Sequence, residues 1–390
     1  MKKTKLTSIL FIFLAFACGK AEKRKKASSA GNEILETEMI KSFDLKISNP
    51  ESYGGGMVAS DLFQDTLGCF LPSKPKDKIF IVDLKNQQFV DEIPLDPNFI
   101  TYPSGIQVVS RDSIFISDHQ FPVIFLINHS GEVLDSYNLY RENLWDLPQE
   151  GFPNFSLYFG FGKTFYFNPN NKSFLLPLKQ IDLWYFIEQK GEFPTFAEFE
   201  IQKENFTGLY GHYPGIYGSK ENNFLPFFLS HPIMEVNEGK VIISYPLYEN
   251  LLIYDLEEGI LIEEKNGSIP SIELGKPLVY SIDNFDYEGE RSFSLKNSFF
   301  GNFFYVQKQK KYVRMFLECV KGVDGNCLAK KLHALIFDQN LDLLEVKVLP
   351  GDYPPNYFMY QIGFDEGILS KPSELKSDDI FSPNEYFKID

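Results

Sequence analysis

Few residues of this chain have side chains and spacings suited to catalysis. Histidines stand at 119, 129, 212, 231 and 333, and no two have the i, i+4 spacing that sets a zinc-binding pair on one helix face. The run GFGKTF, residues 160–165, has the glycine and lysine of a phosphate loop. A Walker loop needs another glycine five residues before Gly162, and Leu157 stands there. The run also sits in a strand context, without the helix N-terminus that would face a phosphate. No HExxH, GxSxG, CxxC or calcium-loop pattern occurs. No catalytic residue, metal ligand or cofactor is therefore predicted.

The cysteines carry more information. Cys319 and Cys327, in ECVKGVDGNC, flank a glycine-containing loop. A strand-loop-strand path across it brings the two Cα atoms within the ~4.4–6.8 Å that a disulfide needs. In an oxidising compartment such a bond would contribute at most about 2–3 kcal/mol. Cys69, in DTLGCFLP, reads as a buried free thiol. Two stretches are candidate contact surfaces. GLYGHYPGIYGSKENN, residues 208–223, sets Tyr210, His212, Tyr213 and Tyr217 among glycines and a proline. Tyrosines there would either recognise a partner or pack a long connection onto its neighbours. SDHQFP, residues 117–122, offers Asp118 and His119 at a strand end. Asp118 and His119 are candidates to face a central channel, as are Asp83 and Asp255.

The N-terminus gives an address. MKKTKLTSILFIFLAFAC has lysines at 2, 3 and 5, an apolar stretch from Leu6 to Ala17, and small residues before Cys18. This is the form of a signal peptide, and the apolar stretch is shorter than the ~20 residues that span a bilayer. LAFAC resembles the lipobox of bacterial lipoproteins, in the relaxed form seen in the Bacteroidota, and that resemblance implies that Cys18 is lipidated. Residues 19–32 then read as a flexible basic tether, and 33–390 as one domain. Of 38 basic and 53 acidic residues, eight and one lie in residues 1–30. The remaining 30 basic and 52 acidic give a body of about −22, which argues against nucleic acid as a partner. Surface-exported Bacteroidota lipoproteins resemble one another in acidic residues after the cysteine, and GKAEKRKK departs from them. The expectation is an outer-membrane lipoprotein facing the periplasm, with surface exposure as the alternative.

The elements that must position these residues are strands. Phe, Trp and Tyr make up 16% of the chain, which favours sheet over helix. A repeated hairpin recurs: IFIVDLKNQQFVDEIPL from Ile79, IFLINHSGEVLDSY from Ile124, WYFIEQKGEFPTFAEFEI from Trp184, LLIYDLEEGILIEEK from Leu251 and HALIFDQNLDLLEVKVLP from His333. Each is an apolar run, an acidic or amide bend residue, a turn, and a more polar strand. The bends fall at Asp83, Asn128, Glu188, Asp255 and Asp338. Asx side chains there can bond local backbone N–H groups and close the turn. Further strand pairs upstream, such as GIQVVS with SIFIS, make units of four strands. MYQIGFDEGILSKPS supplies strands for a sixth unit, and SFDLKIS a strand that closes the ring. The prediction is an all-β fold, a six-bladed β-propeller of four-stranded antiparallel blades. Seven blades or a large β-sandwich are the alternatives.

With its lipobox, tether and repeated hairpins, the chain resembles uncharacterised Bacteroidota lipoproteins with a six-bladed β-propeller domain, a family of unknown function. The resemblance implies a fold and an address but no active site. Two functions follow as expectations. One is a lipid-anchored interaction or ligand-binding module whose partner is an envelope protein, peptide or glycan. The other is an envelope hydrolase or lactonase with a metal in the propeller channel.

Overall fold

The computed structural model describes residues 35–36, 41–43, 57–63, 67–72, 76–86, 88–118, 120–139, 155–157, 164–180, 194–217, 229, 231–269, 273–275, 287–353, 362–364, 367–370 and 384–388. All lie in one compact unit, Ile34–Asp390. The expectations for Cys18, the signal segment, the tether, His119 and Glu188 fall outside the described residues.

The fold is a β-propeller of four-stranded antiparallel blades. Two short strands come first, β1 (Leu35–Glu36) and β2 (Lys41–Phe43). Blade one is β3 (Met57–Phe63), β4 (Leu67–Pro72), β5 (Lys78–Asp83) and β6 (Gln88–Pro94). Blade two is β7 (Pro103–Ser110), β8 (Ser113–Asp118), β9 (Val123–Ile127) and β10 (Val133–Asn138). In blade three, β11 (Phe155–Leu157) and β12 (Tyr166–Asn168) share one edge of β13 (Ser173–Gln180), followed by β14 (Phe196–Glu200) and β15 (Asn205–Tyr210). Blade four is β16 (Ile233–Asn237), β17 (Lys240–Ser244), β18 (Asn250–Asp255) and β19 (Leu261–Asn266). Helix α1 (Tyr287–Lys296), which the sequence reading does not anticipate, precedes blade five. That blade is β20 (Phe299–Val306), β21 (Lys311–Lys321), β22 (Cys327–Phe337) and β23 (Leu343–Val348), with β1 added in parallel outside β23. A last sheet joins β24 (Ile362–Phe364), β25 (Gly367–Ser370) and β26 (Asn384–Lys388) to β2.

Five blades share one register, and this repeat is the physical signature of the fold. The bend side chains act as expected: Asp83 accepts the Asn86 N–H, Asn128 those of Ser130 and Glu132, Asp255 those of Glu257 and Glu258, and Asp338 those of Asn340 and Asp342. Opposite the residues just before each bend, the outer strand carries one extra residue. These are Val90, Leu134, Ile262 and Leu344, all exposed, and in blade three the exposed Thr207. A bulge of this kind bends the outermost strand and blunts an edge that would otherwise template another chain. By the same register the third bend is Glu200, not Glu188: its outer hairpin is β14–β15, closed by a 3-10 turn and by Glu204 in the left-handed region. The last sheet lacks the bulge, so blades bearing the repeat number five, not the expected six.

The cores lie between blades. Ile106, Ile114 and Ile116 of blade two pack with Cys69, Leu71 and Ile79 of blade one, and Phe115 and Tyr137 pack with Phe174 and Leu176 of blade three. The Phe115 ring centroid is 4.7 Å from that of Phe167 and 5.2 Å from that of Phe174. The high aromatic content is thereby explained: wide rings fill the space between twisted sheets, each buried Phe contributing roughly 1.5–3 kcal/mol. Side chains also link innermost strands. Asp61 on β3 accepts the Val108 N–H of β7 at 2.6 Å, and Gln107 on β7 accepts the Phe167 N–H of β12 at 2.6 Å. Asp61, Gln107 and Glu235 occupy one register position in their blades. An innermost strand has no ladder partner on its inner edge, and the first two satisfy that edge from the neighbouring blade.

Candidate functional site

Strand alternation sorts the connections onto two faces. Turns between first and second strands, and between third and fourth, fall on one face and are short, as at 111–112, 238–239, 128–132 and 338–342. Second-to-third connections and the crossings between blades fall on the other. That loop face carries 95–102, 120–122, 211–217, α1 and the far end of the β21–β22 hairpin. Long connections held on a rigid scaffold are where binding residues concentrate.

Asp118 organises one part of this face. Its side chain is fully buried at the end of β8. One carboxylate oxygen accepts the Thr101 and Tyr102 N–H groups at 2.8 and 2.7 Å and the Thr101 hydroxyl at 3.2 Å. The other accepts the Gln120 and Phe121 N–H groups at 2.9 and 3.2 Å. Asp118 therefore does not line a channel; it clamps two loops and fixes the backbone of Tyr102 and Phe121, whose side chains are exposed, as is that of Phe99. Lys76 Nζ lies 3.6 Å from the Tyr102 ring centroid. Beneath, Ser117 Oγ joins Ser104 Oγ and Thr164 Oγ1, each at 3.1 Å. Thr164 and Phe165, from the glycine-lysine run, are buried here, and 160–163 lie outside the described residues.

The tyrosine loop is mostly an internal anchor. Tyr213 and Tyr217 are buried; Tyr213 donates to the Leu178 carbonyl, while Tyr217 donates to the Leu229 carbonyl and accepts the Leu247 N–H. Tyr210 is half-buried and donates to Glu198 at 3.3 Å; burial and that carboxylate raise its phenol pKa. His212 is exposed, and its N–H meets the Tyr254 hydroxyl at 3.3 Å. Of the two readings of this loop, packing holds for Tyr213 and Tyr217 and recognition does not: their rings fill the seam against Tyr245, at 5.1 and 5.2 Å.

The sequence reading also missed Arg314. It is fully buried in β21, and among the described residues none of its hydrogen-bond partners is a carboxylate. Nε donates to Ser244 Oγ at 3.0 Å, one terminal nitrogen to the Glu249 and Gly267 carbonyls at 2.6 and 3.0 Å, and the other to those of Tyr245 and Tyr248 at 3.1 and 2.6 Å. Its guanidinium stacks on Phe300 at 3.5 Å. Burial lowers its pKa to about 9, which leaves it charged at neutral pH. Arg314 thus ties blade five to the loop-face connections of blade four. A lone charge inside the apolar run YVRMF was the available signal.

The β21–β22 hairpin reaches beyond its neighbours. β20 pairs no further than Leu317, and beyond β23 Leu349 bonds Leu332 and Tyr353 bridges Lys330, so residues 320–329 reach past both neighbours on the loop face. Cys319 and Cys327 are bonded there, Cα to Cα 5.3 Å. Lys330 is buried at the base, donates to the Asn297 carbonyl at the end of α1, and lies 4.9 Å from the Phe299 ring centroid. Burial pulls its ammonium down to about 7. His333 meets Glu318 at 2.7 Å. Asp83 and Asp255 sit in turns on the opposite face, outside any channel. Among the described residues no three His, Cys, Asp or Glu side chains are placed to hold a metal ion, so the metal-hydrolase expectation has no ligand set there.

A family model, Domain of unknown function (DUF4221), matches residues 34–345, most of the chain. The chain belongs to the DUF4221 family. A crystal structure of another DUF4221 member, from Bacteroides vulgatus, is similar with a TM-score of 0.65 at 14% identity, covering 92% of this chain and 98% of that one. That likeness shows the fold of DUF4221 and nothing of its activity. The hydrazine synthase of Kuenenia stuttgartiensis is more distant, with a TM-score of 0.42 at 8% identity over 81% of this chain and 73% of that one, and supports no statement here. No curated protein matches.

Proposed function

We propose that this DUF4221 protein is a lipid-anchored propeller of the cell envelope, held to the outer membrane through Cys18 on the periplasmic side, and that its loop face is a binding surface. The observation that carries the binding role is the concentration of long, internally pinned connections on one face, with Asp118 holding Tyr102 and Phe121 in place. Aromatic side chains on a fixed backbone bind with little ordering cost. Residues 34–390 supply a scaffold and not, among the described residues, a catalytic constellation. Changing Cys18 to Ala tests the anchor: the variant should leave the membrane fraction, and unchanged partition would refute anchoring.

A further inference from the structure

The exposed aromatic side chains of this propeller are sorted by face, whereas exposed aliphatic ones such as Val109 and Ile260 also stand at turns of the other face. Among the described residues, every exposed Phe or Tyr, namely Phe99, Tyr102 and Phe121, is on the loop face. On the same face, on blade five, the disulfide-clamped hairpin presents Val323, fully exposed at its tip, and Leu328, 68% exposed. Leu328 is the extra residue of a bulge between Val320 and Lys321, and the bulge turns it outward. An isolated two-stranded ribbon is marginal in water; here the disulfide and the pinned Lys330 hold it rigid. Lys76 sits beside the aromatic group, and Lys321 and Lys331 are exposed on the hairpin. Asp324, the acid at the tip, is turned back onto Asn326.

These two apolar groups, each with a lysine nearby and carried on different blades, share one face. A compact ligand would meet one of them; a flat partner meets both. We propose that the loop face rests on the bilayer interface, with Phe99, Phe121, Val323 and Leu328 entering the headgroup boundary and the lysines meeting phosphates. Amphipathic surfaces bind membranes in this way, through apolar area plus attraction to anionic lipid. The inference depends on the anchor reading. Sixteen residues separate Cys18 from Leu35, so even a fully extended chain keeps β1 within ~55 Å of the anchoring membrane.

The test uses the full lipidated chain in vesicles of phosphatidylethanolamine and phosphatidylglycerol that carry a nitroxide-labelled lipid. Tryptophan is placed by V323W, by F121W and, on the outer rim, by V90W, and quenching is read relative to the parent chain. Positions 323 and 121 should each be quenched at least about twofold more than position 90, as interfacial insertion requires. Equal quenching at all three sites, or stronger quenching at 90, overturns the proposal while leaving the anchor intact. Failure of the chain to float with the vesicles refutes the anchor, and this inference with it. Loss of the contrast when envelope proteins are added would assign the face to a protein instead.

Discussion

Arg314 offers the sharpest test of how the loop face is held. Replacing it with lysine keeps a positive charge but removes the planar fork that reaches four carbonyls and one hydroxyl together. An ammonium has three donors and cannot reach all five acceptors. Each buried acceptor left unmade costs roughly 1–3 kcal/mol, partly offset because less guanidinium is desolvated. Breaking a fully buried charged network typically costs about 3–5 kcal/mol, and Arg314→Lys should fall in that range. At ~2.1 cal/mol/K per residue, a body of about 350 residues has an unfolding entropy near 0.7 kcal/mol/K, so the melting midpoint should drop by about 4–7 °C. Differential scanning calorimetry reads the shift, and hydrogen exchange should show residues 244–249 losing protection first. A midpoint within about 1 °C of the parent would refute the account of Arg314 as the tie between blades four and five.

Other consequences follow from single side chains. Asp118→Asn should cost about 1–3 kcal/mol and raise exchange at 101–102 and 120–121, because a neutral amide cannot accept as the carboxylate does. Lys330 has a folded-state pKa depressed to about 7 from 10.5, so between those values the unfolded chain binds the extra proton and stability rises with pH. Denaturant titrations should show that rise, and Lys330→Met should flatten it. Cys69 is buried, and burial together with Asp61 pushes its thiol up to about 12; maleimide labelling should be slow until the chain unfolds. Changing both Cys319 and Cys327 to Ser should cost at most about 2–3 kcal/mol and raise exchange over 320–329 before the blades are affected.

The hairpins are legible from sequence because their signals are local. An Asx residue that accepts the N–H two to four positions on closes its own turn, and four of five bends follow from that chemistry alone. In blade three the bend is set by register, a non-local property, which places it at Glu200, while Glu188 lies outside the described residues. The bulge repeat, FVD, VLD, LIE and LLE, was visible as strings but reads as ordinary alternation until the opposite strand is known. Exposure is the least legible quantity. Tyr213 and Tyr217 look like a recognition loop until Tyr245 arrives from the next blade, and Asp118 looks like a channel acid until four N–H groups converge on it. Arg314 was marked by its apolar neighbours, whereas its acceptors come from 65–70 residues upstream and from Gly267.

The central claim is that binding occurs on the loop face. Photo-crosslinking in the native envelope tests it most directly, with a benzophenone side chain introduced in turn at Phe121, at Val90 on the rim and at Glu257 on the turn face. The account predicts that Phe121 alone yields an abundant adduct, to lipid or to protein. Equal adducts at all three positions, or an adduct confined to Val90 or Glu257, would contradict it.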